Sequence, residues 1–380
     1  MRILVINWQD IRNPLGGGAE VHLHEIFSRI VHKGHEVTLL CSAFPGASAE
    51  ENIDGIKVIR QGGREVFNFH VPLVYFSRLR KERFDVVVDD LNKIPFFTPL
   101  FVREPLIGIA HHLFDRSIFL ETNYVSASYV YWSERLALAL YRRAGIPFMV
   151  VSPSTQEEFL RRGYRREDLP VVYNCVDHRL YRPTGVSRSA TPLIGYFGRL
   201  KRYKSVDHLL RALPAVKDAV PDVRAVIVGE GDDRPRLEGI AKELEIADRV
   251  TFTGYVSDER KVELLQQMWV KVTTSSKEGW GLTVLEANAC GTPVIASNVP
   301  GLRDAIRDGE TGLLYPYGDV QALAEKTTLL LRDEKVRGRL GANALSWAEK
   351  FDWNVVADET IRVLEKRVNA GSRSSASLPQ

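Results

Sequence analysis

The chain has 380 residues, 44% hydrophobic and 26% charged. That is enough for two separate cores, because a single core stops growing at roughly 250 to 300 residues. Its 51 basic residues barely outnumber 48 acidic ones, a formal charge of +3 that gives no global polyanion-binding surface, so no nucleic acid partner is expected. Cys41, Cys175 and Cys290 stand far apart with no CxxC or Cys/His cluster, which argues against a disulfide framework or a zinc centre and fits a reducing cytoplasm.

Met1-Arg-Ile-Leu-Val-Ile-Asn reads as a first strand rather than a signal peptide, because its apolar stretch is short and lacks a small-residue cleavage site. No run of about 18 or more apolar residues follows, so no membrane-spanning helix is expected. Ile3 to Ile6, a helical face of Leu23, Ile26, Phe27, Ile30 and Val31, and then Val37 to Leu40 make a β-α-β unit, with Gly34 at the helix end. Asp85-Val-Val-Val, Leu106 to Ala110 and Phe148 to Val151 predict further buried strands of a parallel sheet. Periodicity fades into turn residues between about Asn174 and Pro192. Alternation restarts with Leu193 to Phe197, a helix around Val206 to Val216, Ala225 to Val228, Val250 to Phe252, Val270 to Thr273 and Pro293 to Ala296. The segment from about Val320 to Val368 reads as helical, and the small polar residues after it as a frayed tail. The expected fold class is therefore α/β, with two doubly wound Rossmann-like domains over residues 1–185 and 186–352 facing across a cleft. A helix over 353–368 is expected to pack back on the first domain, with 369–380 disordered. Ligands belong at the carboxyl ends of the strands.

Three stretches lie at such ends. Asn13-Pro-Leu-Gly16-Gly17-Gly18-Ala-Glu20 precedes the first helix, where bare amides and a helix N-terminus suit an anion, although a flexible entry loop has the same composition. Phe197-Gly-Arg199-Leu-Lys-Arg-Tyr-Lys204 puts cations at a helix entrance, where the macrodipole disfavours them unless an anion arrives; a solvated basic loop is the alternative. Glu278-Gly-Trp-Gly281-Leu-Thr-Val-Leu-Glu286 places one carboxylate in a loop and another more than a turn inside a helix, with first-turn amides between them. That layout suits an anion at the amides and sugar hydroxyls at the carboxylates, against the alternative of a surface helix carrying a solvated Glu. His111-His112 also follows a strand, as does Asp89-Asp90. The aspartates have no third ligand nearby in sequence, so no metal site is expected.

Taken in order, these motifs resemble the retaining glycosyltransferases of family 4 (glycosyl transferases group 1), which have the GT-B fold, over nearly the whole chain. The resemblance also rests on Asn174-Cys-Val-Asp177, Tyr181-Arg-Pro183, Val228-Gly-Glu-Gly231, Phe252-Thr-Gly254-Tyr-Val and above all the Glu-x7-Glu spacing of Glu278 and Glu286. It implies that Arg199 and Lys204 hold the diphosphate of a nucleotide sugar such as a UDP- or GDP-sugar, that Glu278 contacts the sugar and that Glu286 contacts the ribose. It places the amides of Gly281, Leu282 and Thr283 at the phosphates, Tyr255 and Val256 at the base, and Gly17 and Gly18 on the diphosphate from the other domain. His111, with His112 second, is implied near the reacting sugar carbon. The implied catalytic set is His111, Arg199, Lys204 and Glu278, with no cofactor and no metal. The implied chemistry is transfer of a hexose-type sugar with retention: the acceptor hydroxyl attacks on the face that the leaving group vacates, and the donor phosphate takes its proton. Four positions depart from the family pattern: Cys175 and Ser205 for glycines, Ser275-Ser276 for Pro-Ser, and Met268-Trp269-Val270 without its acidic residue. None removes a charged donor contact.

A carbohydrate or lipid-linked acceptor is expected, in polysaccharide or glycolipid assembly. Tyr75-Phe-Ser-Arg78-Leu-Arg80-Lys81-Glu-Arg83 and Tyr141-Arg-Arg143 are basic and aromatic and would seat the first domain on anionic lipid, at the inner face of the cell membrane; a solvated helix face explains them equally well. A nucleotide-sugar 2-epimerase shares the architecture but needs acid and base groups around C2 and no acceptor site. A non-catalytic nucleotide-sugar binder would not need the full set of Arg199, Lys204, Glu278 and Glu286.

Overall fold

In a computed structural model of the chain, describing residues 1–92, 94–120 and 122–376, the apolar runs become strands flanked by helices. The chain divides into one unit of Met1–Asn174 with Trp353–Gln380 and another of Cys175–Asp352.

The first unit runs β1 (Arg2–Ile6), α1 (Gly18–His32), β2 (Glu36–Cys41), β3 (Glu50–Ile53), β4 (Ile56–Arg60), α2 (Phe67–Ser77), β5 (Val86–Asp90), β6 (Leu106–Ala110), α3 (Tyr124–Arg143), β7 (Phe148–Val150) and α4 (Pro153–Leu160). Among the described residues its sheet has seven strands in the order β3-β4-β2-β1-β5-β6-β7. The pairs are parallel except for the β3–β4 hairpin. Ile3, Leu4, Val5 and Ile6 are all fully buried, because β1 is covered on both faces; hence the unbroken apolar run. β1 lies between β2 and β5, so the strand order reverses there, and the loops after β1 and β5 leave the sheet side by side.

The second unit runs β8 (Leu193–Phe197), α5 (Asp207–Ala219), β9 (Arg224–Val228), α6 (Arg234–Glu243), β10 (Val250–Gly254), α7 (Asp258–Gln267), β11 (Val270–Thr273), α8 (Leu282–Ala289), β12 (Val294–Ser297), α9 (Leu302–Ala305), β13 (Gly312–Tyr315), α10 (Val320–Arg332) and α11 (Glu334–Ala348). Its strands are parallel in the order β10-β9-β8-β11-β12-β13. The reversal falls between β8 and β11, which brings together the loops that begin at Gly198 and Thr274. Ile194, Leu209, Leu213, Ile227, Val270 and Val272 are part of the core beneath them.

α12 (Trp353–Ala376) returns to the first unit and packs on α1, burying Ala357 and Leu364, with Lys33 paired to Asp358 at 2.8 Å and Arg367 Nε donating to Leu106 O at 2.9 Å. Three expectations change. The unit boundary lies at Asn174, not at residue 185, because the turn-rich segment is tied into the second unit. Val176 N–H donates to Phe351 O at 3.4 Å, Thr184 N–H to Gln266 Oε1 at 2.7 Å and Ser189 N–H to Gln267 O at 2.9 Å. The expected frayed tail is helical as far as Ala376: Asn369, Gly371 and the serines are weak helix formers that cost up to about 1 kcal/mol each, but no proline interrupts the helix before Pro379. The rest of that tail, 377–380, lies outside the described residues. Finally, the helical stretch from Val320 divides into three helices, with Asp333 capping α11 through Val336 N–H at 2.9 Å.

The aromatic residues expected on a surface divide differently as well. Tyr75 and Tyr141 are fully buried; Tyr75 Oη donates to Glu104 Oε2 at 2.5 Å, and Tyr141 donates to Asp89. Phe76 of the first stretch is exposed as expected, and these helices expose further apolar side chains at Phe69 and Leu73 on α2 and at Tyr124, Val125, Tyr129, Trp132 and Leu136 on α3. Apolar side chains lie on all sides of α2, so its sequence does not reveal which side is covered.

Candidate active site

The β8 loop is shaped by a neighbouring turn. A Cβ on Gly229 would lie 2.0 Å from Gly198 O, and one on Gly231 2.0 Å from Leu200 O. Only glycines let the two backbones meet, with Gly198 N–H donating to Val228 O at 3.1 Å and Leu200 N–H to Glu230 O at 2.8 Å. The Val228-Gly-Glu-Gly231 motif thus buttresses the segment that carries Arg199. A 3-10 turn over Arg202–Lys204 follows, and Ser205 adopts φ 48°, the left-handed region. That conformation accounts for the family's glycine here: a side chain costs about 1 to 2 kcal/mol. The bond between Ser205 Oγ and Tyr317 Oη at 2.9 Å offsets part of this.

The turn delivers Lys204 to the β11 loop. Its Nζ lies 2.5 Å from Glu278 Oε1, and Ser275 Oγ donates to the same oxygen at 2.6 Å. Thr274 Oγ1 donates to Lys204 O at 2.7 Å and Ser276 N–H to Tyr203 O at 2.8 Å, so side-chain and main-chain bonds both join the loops. Burial disfavours the Lys204 charge, but Glu278 outweighs it and holds the ammonium above its ordinary range, protonated at neutral pH. Arg199 is exposed, with Nη2 3.5 Å from Tyr203 Oη. Gly301, at φ 80°, backs the loop from beneath, where a Cβ would fall 2.3 Å from Glu278 O.

α8 starts at Leu282 with Gly281 as its N-cap; no side chain caps its first amides, and Val284 N–H donates to Gly281 O at 2.8 Å. A turn further on, Glu286 is buried; Lys261 Nζ holds its Oε1 at 2.7 Å and also donates to Tyr181 Oη at 3.0 Å. Glu286 Oε2 is buried with no protein partner among the described residues, and the hydroxyl of a ligand would satisfy it. Tyr255, 81% exposed, and half-buried Val256 follow the edge strand β10.

In the first unit, Gly17 N–H donates to Glu20 Oε2 at 2.7 Å, so the carboxylate of the helix's own first turn already takes one amide of the glycine loop. Gly18, exposed, opens the helix. At the end of β6, His111 is buried, with Nε2 3.3 Å from Asp90 Oδ2 and its ring edge-to-face with His22 at 5.0 Å. Burial pulls both imidazoles down. For His111 the nearby Asp90 carboxylate outweighs this and raises its pKa, while for His22 the neighbouring His111 adds to the lowering. A proton in this pair therefore resides on His111. His112 is half-buried and packs against Phe114. Asp89 turns away from Asp90 to accept from Thr98 and Tyr141. Among the described residues no three His, Cys, Asp or Glu side chains gather as metal ligands. Sequence reading did not single out Lys261, Lys271, Tyr203 or Gly301; the only local signal was a lysine inside the apolar strand Val270-Lys-Val-Thr273.

Two doubly wound units, the second with cations, carboxylates and a bare helix start at its strand reversal, define the GT-B class. Residues 16–180 match the family described as Glycosyltransferase Family 4, and residues 178–347 match Glycosyl transferases group 1. The chain belongs to the family 4 glycosyltransferases. It is similar to the phosphatidyl-myo-inositol mannosyltransferase of Mycobacterium leprae (strain TN), 36% identical over 206 residues, 50% of this chain and 54% of that protein. The chain spans about half the length of the first curated relatives it matches. Among solved structures, sucrose-phosphate synthase from Thermosynechococcus elongatus gives a TM-score of 0.84 at 23% identity, covering 97% of this chain and 99% of that one. Anabaena HepE in complex with UDP and glucose gives 0.77 at 22% identity, covering 96% and 100%. These likenesses establish the fold.

Proposed function

We propose that the protein is a retaining glycosyltransferase that moves a hexose-type sugar from a nucleotide-diphosphate sugar to a hydroxyl acceptor in polysaccharide or glycolipid assembly. The observation that carries this is the meeting of Lys204 with Glu278 beside Arg199: cations for a diphosphate next to a carboxylate for sugar hydroxyls. Arg199, Lys204 and the amides of Gly281, Leu282 and Thr283 hold the diphosphate and stabilise charge on the departing nucleotide, each contact carrying a few kcal/mol of the barrier. Glu286 Oε2 takes a ribose hydroxyl, and Tyr255 and Val256 flank the base. The amides of Gly17 and Gly18 and the imidazole of His111 are assigned to the donor by the resemblance. Binding of UDP-glucose by HepE, at 21% identity, supports a UDP-sugar as the first donor to test. With no nucleophile assigned, the acceptor hydroxyl attacks on the face of the leaving phosphate, which takes its proton.

Incubation with UDP-, GDP- and ADP-sugars tests the reading. Slow release of nucleoside diphosphate from one of them is expected, and release from none of them sinks it. Because the cations neutralise the phosphates in place of a metal, turnover should be unchanged by EDTA; abolition by EDTA and rescue by a divalent ion would reject the metal-free site.

The acceptor side points to an anionic lipid surface. Val125, Tyr129, Trp132 and Leu136 follow one another at helical spacing on α3, all exposed, next to Arg135, Arg142 and Arg143. The only acid in that helix, Glu134, is turned inward and accepts from Phe114 N–H at 2.6 Å and Asp115 N–H at 3.0 Å. No helix among the described residues is long and apolar enough to cross a membrane. Trp132→Glu combined with Leu136→Glu should weaken sedimentation with anionic vesicles by roughly tenfold or more, leaving thermal unfolding unchanged. Wild-type protein that stays in the supernatant at low salt would end the lipid reading.

A further inference from the structure

Lys271 sits in the middle of β11 and is fully buried. Alternation along the strand sends Val270 and Val272 into the core and Lys271, with Thr273, to the opposite face. There its Nζ lies 2.7 Å from Thr273 Oγ1 and 3.0 Å from Thr283 Oγ1, in the first turn of α8. Its hydrogen-bond partners are these two hydroxyls, and no described carboxylate pairs with it directly. An ammonium so placed is strongly disfavoured unless a negative charge arrives. The turn above it presents amides with no side-chain cap.

Resting on the assignment of that turn to the diphosphate, we infer that Lys271 is a positioning residue which takes up a proton as the diphosphate binds and, as ammonium, fixes Thr283 and the start of α8 beneath the phosphates. The charged groups around it are Glu286 on α8, Lys261 on α7, and Glu278 with Lys204 on the loops; α10, on the core side of the strand, turns Leu323, Ala324 and Thr327 inward. Burial is the dominant influence and brings the Lys271 ammonium down to about 7; Glu286 raises it, Lys261 lowers it, and Glu278 and Lys204 follow with opposite signs. In the free protein the side chain is therefore mostly neutral at about pH 8. An anion favours the ammonium, so affinity is highest below the free value and falls as pH rises through it.

The test is titration calorimetry of wild type and Lys271→Met with UDP, GDP and ADP at about pH 8, in buffers of different ionisation enthalpy. Wild type should take up about one proton per diphosphate bound and Lys271→Met none; wild-type Kd should also weaken by up to about tenfold per pH unit above the free value. Tight binding by wild type without proton uptake overturns this inference and leaves the donor site standing. Failure of every nucleoside diphosphate to bind overturns both. A lysine that only supports the fold would alter the unfolding midpoint without altering the protons taken up on binding. The wild-type pH series needs no variant, so a misfolded Lys271→Met does not block the outcome.

Discussion

Replacing Lys204 with alanine is expected to lower turnover by roughly a hundred- to a thousandfold while the protein stays folded. Two losses combine. The diphosphate loses the ammonium that meets its developing charge, and Glu278, now bonded through Oε1 to Ser275 alone of the two, presents uncompensated negative charge to an anionic donor. The variant should still fold, at a cost of about 1 to 3 kcal/mol. The bond from Thr274 Oγ1 to the main-chain carbonyl of residue 204 survives in alanine, and what is lost is an ion pair that is mostly shielded from water, leaving Glu278 without its partner. Lys204 is raised above its ordinary pKa, so its contribution to stability is fully present below the unfolded value and is lost only as pH climbs through the folded one, far above neutrality. Steady-state rates and a melting curve for the variant decide the matter; near-normal turnover would remove Lys204 from the mechanism. Lys204→Arg should recover only part of the rate, because a planar fork cannot replace a point charge on the shared Glu278 oxygen.

The second large effect is structural in origin. Gly229→Ala should destabilise the carboxyl-terminal unit by about 3 kcal/mol or more, a fall of roughly 6 to 12 °C in Tm. The new Cβ would lie 2.0 Å from the carbonyl of Gly198, which is main chain and cannot swing aside, and φ at this position is 132°. Relief requires the segment bearing Arg199 to move. A displacement of about 1 Å is enough to cost roughly a hundredfold in rate, so turnover should fall even below the melting transition. Gly239→Ala is the control. It lies within α6 with open space around its Cα, and there alanine should be neutral or stabilise by up to about 1 kcal/mol. Equal behaviour of the two variants would show that the close approach of the loops carries no energy.

Much of this architecture is legible locally. Ile3 to Ile6, Leu106 to Ala110 and Val294 to Ala296 read as strands because a parallel strand covered on both faces must be apolar along its whole length. The glycines of Val228-Gly-Glu-Gly231 survive as a pattern because the β8 loop approaches them too closely for any side chain, and the spacing of Glu278 and Glu286 because both belong to one helix start. The edge strand β3 and the strand β13 escaped because short, partly exposed strands carry little periodicity, and β4 escaped although it is mostly buried, because charged Lys57 and Arg60 interrupt its short apolar run. Tyr75 and Tyr141 were expected at a surface and are core; their hydroxyls meet Glu104 and Asp89.

Residue order alone therefore determined the alternation of strands and helices, the two doubly wound halves and the loops in which chemistry is concentrated, because hydrophobic period and turn composition act over a few residues. Tertiary structure decided which charges meet. Lys204 and Glu278 are 74 residues apart and come within 2.5 Å only because β8 and β11 are neighbours at the point where strand order reverses. It also decided that Lys271, which a strand pattern would turn to water, is sealed beneath α8. A side chain's neighbours, and with them its charge, are set by what packs over it, and the sequence around it does not record that.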